Sequence, residues 1–233
     1  IIIQMNNYVI RPETAMPRPS RNLDRLLLAA GRALYPATGC AGLTIRQVCE
    51  AAGVNTGMFN YHFGTRDRFL RAVMQGAYEE MFASLTLAVR RPAELSAAEA
   101  LRGALGALGR FALANREFVA RLAADALAGE AVAREFLREN LPRHLQVIAG
   151  VIAAGAQAGE FRKLAPAQAV GFCVGAVAAP VLFGGAIAAS GEASAPFAAA
   201  LGKSLLTPKA LDERIDLVIA GLSAPSPRRK GAP

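Results

Sequence analysis

The 233-residue sequence has no Trp, only four Tyr, two His and three Cys. The shortage of histidine removes most of the material for a metal centre or an acid–base pair, because His62 and His144 stand in no ligand-set or triad spacing with Cys or acids. Cys40, Cys49 and Cys173 are odd in number and form no close pair, so neither a disulfide framework nor a C-x-x-C site is readable. A reducing, cytoplasmic compartment is the simpler expectation. There is no Walker loop, no G-x-G-x-x-G turn and no G-x-S-x-G elbow. The paired acids Glu79 and Glu80, or Asp212 and Glu213, fall on adjacent helical positions that face different ways. The expectation is therefore no enzyme, no catalytic residue, no metal and no cofactor. The opening segment also lacks the parts of a secretory signal: its apolar start is three residues long and has no positively charged lead-in. It reads as a flexible arm over residues 1–19, or as a mis-assigned start with Met16 the true beginning.

Lysine is absent from the first ninety residues, where ten Arg face six acids. Residues 91–221 are nearly balanced, with thirteen bases and twelve acids, and the last twelve residues add three bases and no acid. The net charge of +8 thus sits at the two ends. Such a balance points to a polyanion or an anionic surface, and Arg is the side chain suited to phosphates and base edges.

Charge is missing altogether between Lys163 and Glu192, a run long enough to be a transmembrane candidate. It is mostly Ala and Gly and contains Pro166 and Pro180, whereas insertion is driven by Leu, Ile, Phe and Val. It reads as a buried interface helix, with no membrane partner. A membrane-associated or lipid-binding helical protein is the alternative reading of the same run.

Helical periodicity fills the rest of the chain, and no strand pattern competes. Leu23, Leu26, Leu27, Ala30 and Leu34 form the stripe of a first helix capped by Ser20. Pro36 is expected to disturb its last turn and end it early. Thr44 to Gln47 is a capping box that opens a short second helix. Gly53 stops it, Asn55 caps a third helix over about 55–63, and Val54 and Phe59 are placed as a hydrophobic staple. Gly64 and Thr65 then start a fourth helix that runs to about residue 89. Two helices joined by Ala52-Gly53-Val54 read as a helix-turn-helix, although the spacing alone also suits an ordinary helical hairpin. Further helices are expected over roughly 96–114, 115–128, 131–158, 167–190 and 209–222.

On the outer side or the ends of the third helix lie Asn55, Thr56, Gly57, Met58, Asn60, Tyr61 and His62. Asn60 is suited to adenine, Met58 to a thymine methyl, and Gly57 to a close approach of backbone to phosphates. Tyr61 and His62 suit core packing as well.

Residues 44–70, TIRQVCEAAGVNTGMFNYHFGTRDRFL, resemble the DNA-binding segment of TetR-family transcriptional regulators. Thr44, Ala52, Gly53, Val54, Gly57, Phe59, Tyr61, His62, Phe63 and Thr65 carry the resemblance. Arg66 stands where the family usually has Lys, and Arg68 where an acid often sits. The resemblance implies an all-α protein: an N-terminal three-helix helix-turn-helix DNA-binding domain, followed by a helical ligand-binding and dimerisation bundle. The expected boundaries are 20–90 for the DNA-binding domain with its bridging fourth helix (motif 43–62), 91–223 for the bundle, and 224–233 for a disordered basic tail. It further implies that Thr44, Tyr61, His62 and Arg66 touch phosphates, and that Arg46 and Gln47 approach the backbone or a base. The expected partners are double-stranded operator DNA with a palindromic site, a second copy joined through residues 167–190 and 209–222, and a small apolar effector that releases a repressor. Phe111, Phe118, Phe136, Phe172 and Phe183 are candidates for the effector pocket, each equally suited to plain core.

Overall fold

The structure, a computed structural model, describes residues 21–90, 95–189, 196, 200 and 204–224. Among the described residues the only strand-like feature is an isolated bridge between Phe161 and Ser223. The helices are α1 (Arg21–Gly42), α2 (Ile45–Ala52), α3 (Thr56–Phe63), α4 (Arg66–Val89), α5 (Ala97–Ala114), α6 (Arg116–Ala128), α7 (Ala131–Gln157), α8 (Pro166–Ala189) and α9 (Pro208–Leu222). The fold is all-α, a three-helix N-terminal unit followed by a helical bundle. The expected arm lies outside the described residues, as does the expected tail beyond Ala224.

The helix starts follow the capping chemistry of the sequence. Thr44 accepts from the Gln47 amide while Gln47 reaches back to the Thr44 amide, and Ser96 and Glu99 repeat the arrangement on α5. Asn55, Thr65 and Thr207 cap α3, α4 and α9 by accepting from the amides of Met58, Arg68 and Ala210. Each such cap is worth about 1 kcal/mol, because a helix start otherwise leaves amides without partners.

α1 departs from the expectation at Pro36. The helix runs through the proline and breaks three residues later, at Gly39, whose φ of 64° and ψ of −170° suit only glycine. An added Cβ there would also stand 2.8 Å from an Asp125 carboxyl oxygen. Pro36 itself removes only the amide that would meet the Arg32 carbonyl; the break at Gly39 is what frees the Pro36 and Ala37 carbonyls, and Arg121 of α6 donates to both.

Two apolar clusters are joined by α4. Leu27, Tyr35, Val48, Phe59, Phe69 and Leu70 pack with Phe118 and Phe136 of the bundle, so the N-terminal unit and the bundle share a core. Leu85, near the other end of α4, belongs with Leu101, Leu105, Ile148, Phe161, Leu211 and Ile215. Burial of large side chains of this kind is worth about 1.5–3 kcal/mol each.

One described stretch, Pro166–Gly184 within α8, is long and apolar enough to cross a membrane. Cys173, Val177 and Val181 are buried against the bundle, while Phe172, Gly175 and Phe183 face outward. Beside them α9 exposes Leu217, Ala220 and Gly221, and Phe172 lies against Gly221.

Gly155 of α7 is buried where a Cβ would collide with the Phe161 ring and stand 2.8 Å from Ala97. Overpacking of this kind costs about 1–3 kcal/mol, more than the helix-propensity gain of up to about 1 kcal/mol. Gly155→Ala is expected to lower the thermal midpoint by a few degrees. Gly150→Ala, where nothing lies within 4 Å of the added carbon, is expected to leave it unchanged or raise it; equal midpoints for the two variants would refute this packing.

Candidate DNA-binding face and effector cavity

α3 is held from behind by aromatic packing. Phe59 is fully buried and tilts against Phe63 at 5.5 Å and Phe69 at 5.0 Å between ring centroids, while Phe63 meets Phe69 edge-on at 4.9 Å. Val54, 8% exposed, closes the staple in front of α3. The outer face is thereby fixed: Asn55, Thr56, Gly57, Asn60 and Tyr61 are exposed, Tyr61 by 65%. Thr44, Arg46 and Gln47, at the start of α2, are exposed as well. This supplies a short rigid helix with an amide, hydroxyls and a phenol outward, and an arginine nearby, as major-groove recognition with phosphate contacts requires.

Other expected contacts are committed elsewhere. Met58 is half-buried against the N-terminal core and does not stand free for a thymine methyl. Asn55 spends its side-chain oxygen on the Met58 amide at 2.9 Å. His62 is half-buried, its ring set between Tyr61 and Phe63, and its Nε2 is enclosed without a partner. Arg66 donates from Nε to the Leu43 carbonyl at 2.8 Å, tying α4 to the α1–α2 turn. Its planar fork makes that contact possible, and the side chain acts here as a strut. Arg68, two residues further on and exposed, is a cation that the sequence reading did not assign to DNA.

Behind this unit, α4 to α8 enclose a cavity of roughly 300 Å³. Phe111, Phe118 and Phe136 line it, together with Met74, Tyr78 and Met81 of α4. Phe172 and Phe183 do not; they are 51% and 65% exposed on the outer side of α8, which corrects the expectation that placed them in the pocket. With apolar residues all round α8, periodicity could not say which side faced in. Among the described residues no Asp, Glu, Lys or Arg lines the cavity, and its polar members are Tyr78, Asn140 and His144. Tyr78 donates to the Asn140 carbonyl at 2.8 Å and Asn140 donates to the Phe136 carbonyl at 3.0 Å. Burial lowers the His144 pKa, which keeps the ring neutral near pH 7. Such a space suits an apolar, uncharged occupant. The sequence reading assigned no residue of α4 to this lining. Among the described residues no cluster of His, Cys, Asp and Glu could hold a metal.

Residues 27–73 match the family model of bacterial regulatory proteins, tetR family. Over those residues, which span α1 from Leu27 to the first turns of α4, the chain is similar to that family. No curated protein matches the chain. Among solved structures, a TetR-family transcriptional regulator of Thermus thermophilus is 18% identical, with a TM-score of 0.64, covering 84% of this chain and 98% of its own. A ketosteroid transcriptional regulator of Mycobacterium tuberculosis is 18% identical, with a TM-score of 0.63, covering 91% and 100%. A Clostridium perfringens protein, provisionally described as a fatty acid metabolism regulator, is 16% identical, with a TM-score of 0.67, covering 86% and 100%. At these identities the structures show the fold alone, which this chain shares over 84–91% of its length.

Tyr61→Ala and Asn60→Ala are expected to weaken specific DNA binding by about 1–3 kcal/mol each, and Arg46→Ala to reduce the salt slope of binding by about one. Anisotropy titration at two salt concentrations reads both effects. Unchanged affinity in all three variants would refute this face.

Proposed function

We propose that this TetR-family transcriptional regulator is a homodimeric repressor that binds a palindromic operator through α3 and is released when a small apolar molecule fills the bundle cavity. The observation that carries the reading is the pairing of an exposed, aromatically braced α3 with an uncharged cavity whose walls, α4 and α6, also pack against α1. Residues 20–90 form the DNA-binding unit and 91–223 the effector and dimer domain. Thr44, Arg46, Gln47, Thr56, Gly57, Asn60 and Tyr61 carry the DNA contacts, and Phe111, Phe118 and Phe136 the apolar ones. Two of the fold relatives are described by apolar chemistries, fatty acids and ketosteroids, which supports an apolar effector here. Release follows if the effector binds better to an arrangement in which the two α3 helices no longer match the half-sites.

The exposed stripe of Phe172, Gly175 and Phe183 on α8, with Leu217 and Gly221 on α9, is the proposed dimer seam. Small residues there permit close approach, and the aromatic side chains supply the apolar area. A protein of this kind works in the cytoplasm.

The test is selection of bound duplexes from random DNA. A two-fold symmetric site with half-sites about one helical turn apart, bound about 10³-fold or more over random sequence, is expected. Salt-sensitive binding without an enriched sequence would refute the operator reading, and recovery of the protein in the membrane fraction would favour lipid binding through α8. Light scattering is expected to find a dimer that Phe183→Glu converts to monomer; a variant still dimeric would exclude this seam.

A further inference from the structure

The break in α1 frees backbone groups that α6 alone satisfies. In an unbroken helix the Cys40 amide would donate to the Pro36 carbonyl one turn back. Here the Cys40 amide donates to Asp125 Oδ2 at 2.7 Å, and Arg121 of the same helix donates to the Pro36 carbonyl at 3.3 Å and the Ala37 carbonyl at 3.0 Å. Asp125 also accepts from the Tyr35 hydroxyl at 2.8 Å. The Asp125 end of this junction is buried, with Asp125 7% exposed and Tyr35 fully buried, while Arg121 reaches the surface. Burial, reinforced by Asp125, holds the Tyr35 hydroxyl far above the usual phenol range, so it remains a donor throughout the working pH range.

The junction is also the wall of the cavity. Phe118, Val119, Leu122 and Ala123 line the cavity from α6, on the turns between Arg116 and Asp125. The Phe118 ring lies 4.9 Å from that of Tyr35. A second tie holds α1 nearer its start: Arg32 donates to Glu80 of α4 at 2.5 Å and to Asn115, ahead of α6, at 3.0 Å. That tie is exposed and weak by comparison. Loosening the Asp125 end therefore lets α1 turn about the Arg32 end, and α2 and α3 turn with it.

We propose that Asp125, oriented with Arg121, is a positioning residue: by gripping Tyr35 and Cys40 it sets the angle of the α1–α3 unit on the bundle, and hence the separation of the two recognition helices in the dimer. The proposal rests on the dimeric operator-binding reading above. It gives α6 two functions, cavity wall and clamp, so that an occupant bearing on Phe118 bears on the clamp as well.

The test uses the full-length dimer, the operator selected by wild-type protein, and copies of it lengthened by one and two base pairs at the centre. In Tyr35→Phe, which keeps the ring against Phe118, and in Asp125→Asn, the preference for the native spacing is expected to fall by about fivefold or more. Discrimination against a changed half-site base should stay as in wild type, because α3 itself is untouched. Spin labels on Glu50→Cys, exposed on α2, are expected to show a broader distance distribution across the dimer in Tyr35→Phe. Variants with a lower melting temperature but wild-type spacing preference and label distances would overturn the proposal, leaving Asp125 a packing residue. A wild-type protein that selects no sequence would refute the operator reading instead, and the label distances alone would then decide the clamp. A monomeric wild-type protein would refute both.

Discussion

A folded chain cannot leave backbone donors and acceptors without partners in its interior, and the architecture of this protein turns on one place where its own helix fails to supply them. Gly39 interrupts α1 inside the core, and the orphaned groups around it would each cost about 1–3 kcal/mol if left dry. α6 answers with a donor and an acceptor one turn apart, Arg121 and Asp125, which also approach one another at 3.9 Å. A buried carboxylate is itself expensive unless hydrogen-bonded. Asp125 and the broken helix thus need each other, and neither would be stable alone. The same surroundings push the Cys40 thiol up to about 12, chiefly by burial and the Asp125 contact, which keeps it from acting as a thiolate.

From that junction the division of labour among the helices follows. α4 reaches both apolar clusters, with Phe69 and Leu70 in the first and Leu85 in the second, and so bridges the DNA-binding unit and the far side of the bundle. Its ionic ties to α7, Arg71 with Glu135 and Glu139 and Glu79 with Arg143, are largely exposed and contribute little in salt. Apolar packing around the cavity is what couples the two helices. A space of roughly 300 Å³ in the middle of that packing is a standing deficit of dispersion contacts. An apolar occupant would recover them, while a charged one would find no opposite charge among the lining residues.

Most of the element boundaries were legible because they depend on neighbours in sequence. Capping residues at Thr44, Asn55 and Thr65 act over three residues, and the aromatic run Tyr61-His62-Phe63 lies within one turn. What escaped was long-range. Asp125 meets Tyr35 across 90 residues, and nothing local to the α6 sequence marks it except an acid inside an apolar stretch. Pro36 looked like a helix end, yet α1 continues to Gly39, and the donor to the Pro36 carbonyl that this break frees is 85 residues away. At the DNA face, exposure was read correctly for Asn60 and Tyr61. It was misread for Met58, which packs on the core; Arg66 takes a partner in the α1–α2 turn, and His62 has the ring neighbours that its alternative core reading required.

α8 shows why an uncharged helix can be informative once its surroundings are known. Cys173, Val177 and Val181 face the bundle core, Val174, Ala178 and Leu182 reach the cavity, and Phe172, Gly175 and Phe183 face outward beside α9. All these directions demand apolar residues, so the sequence carries no polar face and reads like a membrane segment. The physical consequence is that the cavity and the proposed dimer seam lie on different sides of one helix, as the cavity and the clamp lie on different turns of α6. An occupant can shift the separation of the recognition helices only through a difference in its contacts between two arrangements of these walls. A molecule that filled the cavity equally well in both would bind and change nothing. Selectivity for an effector therefore resides less in how well it fills the space than in whether it displaces α6 and α8 in doing so.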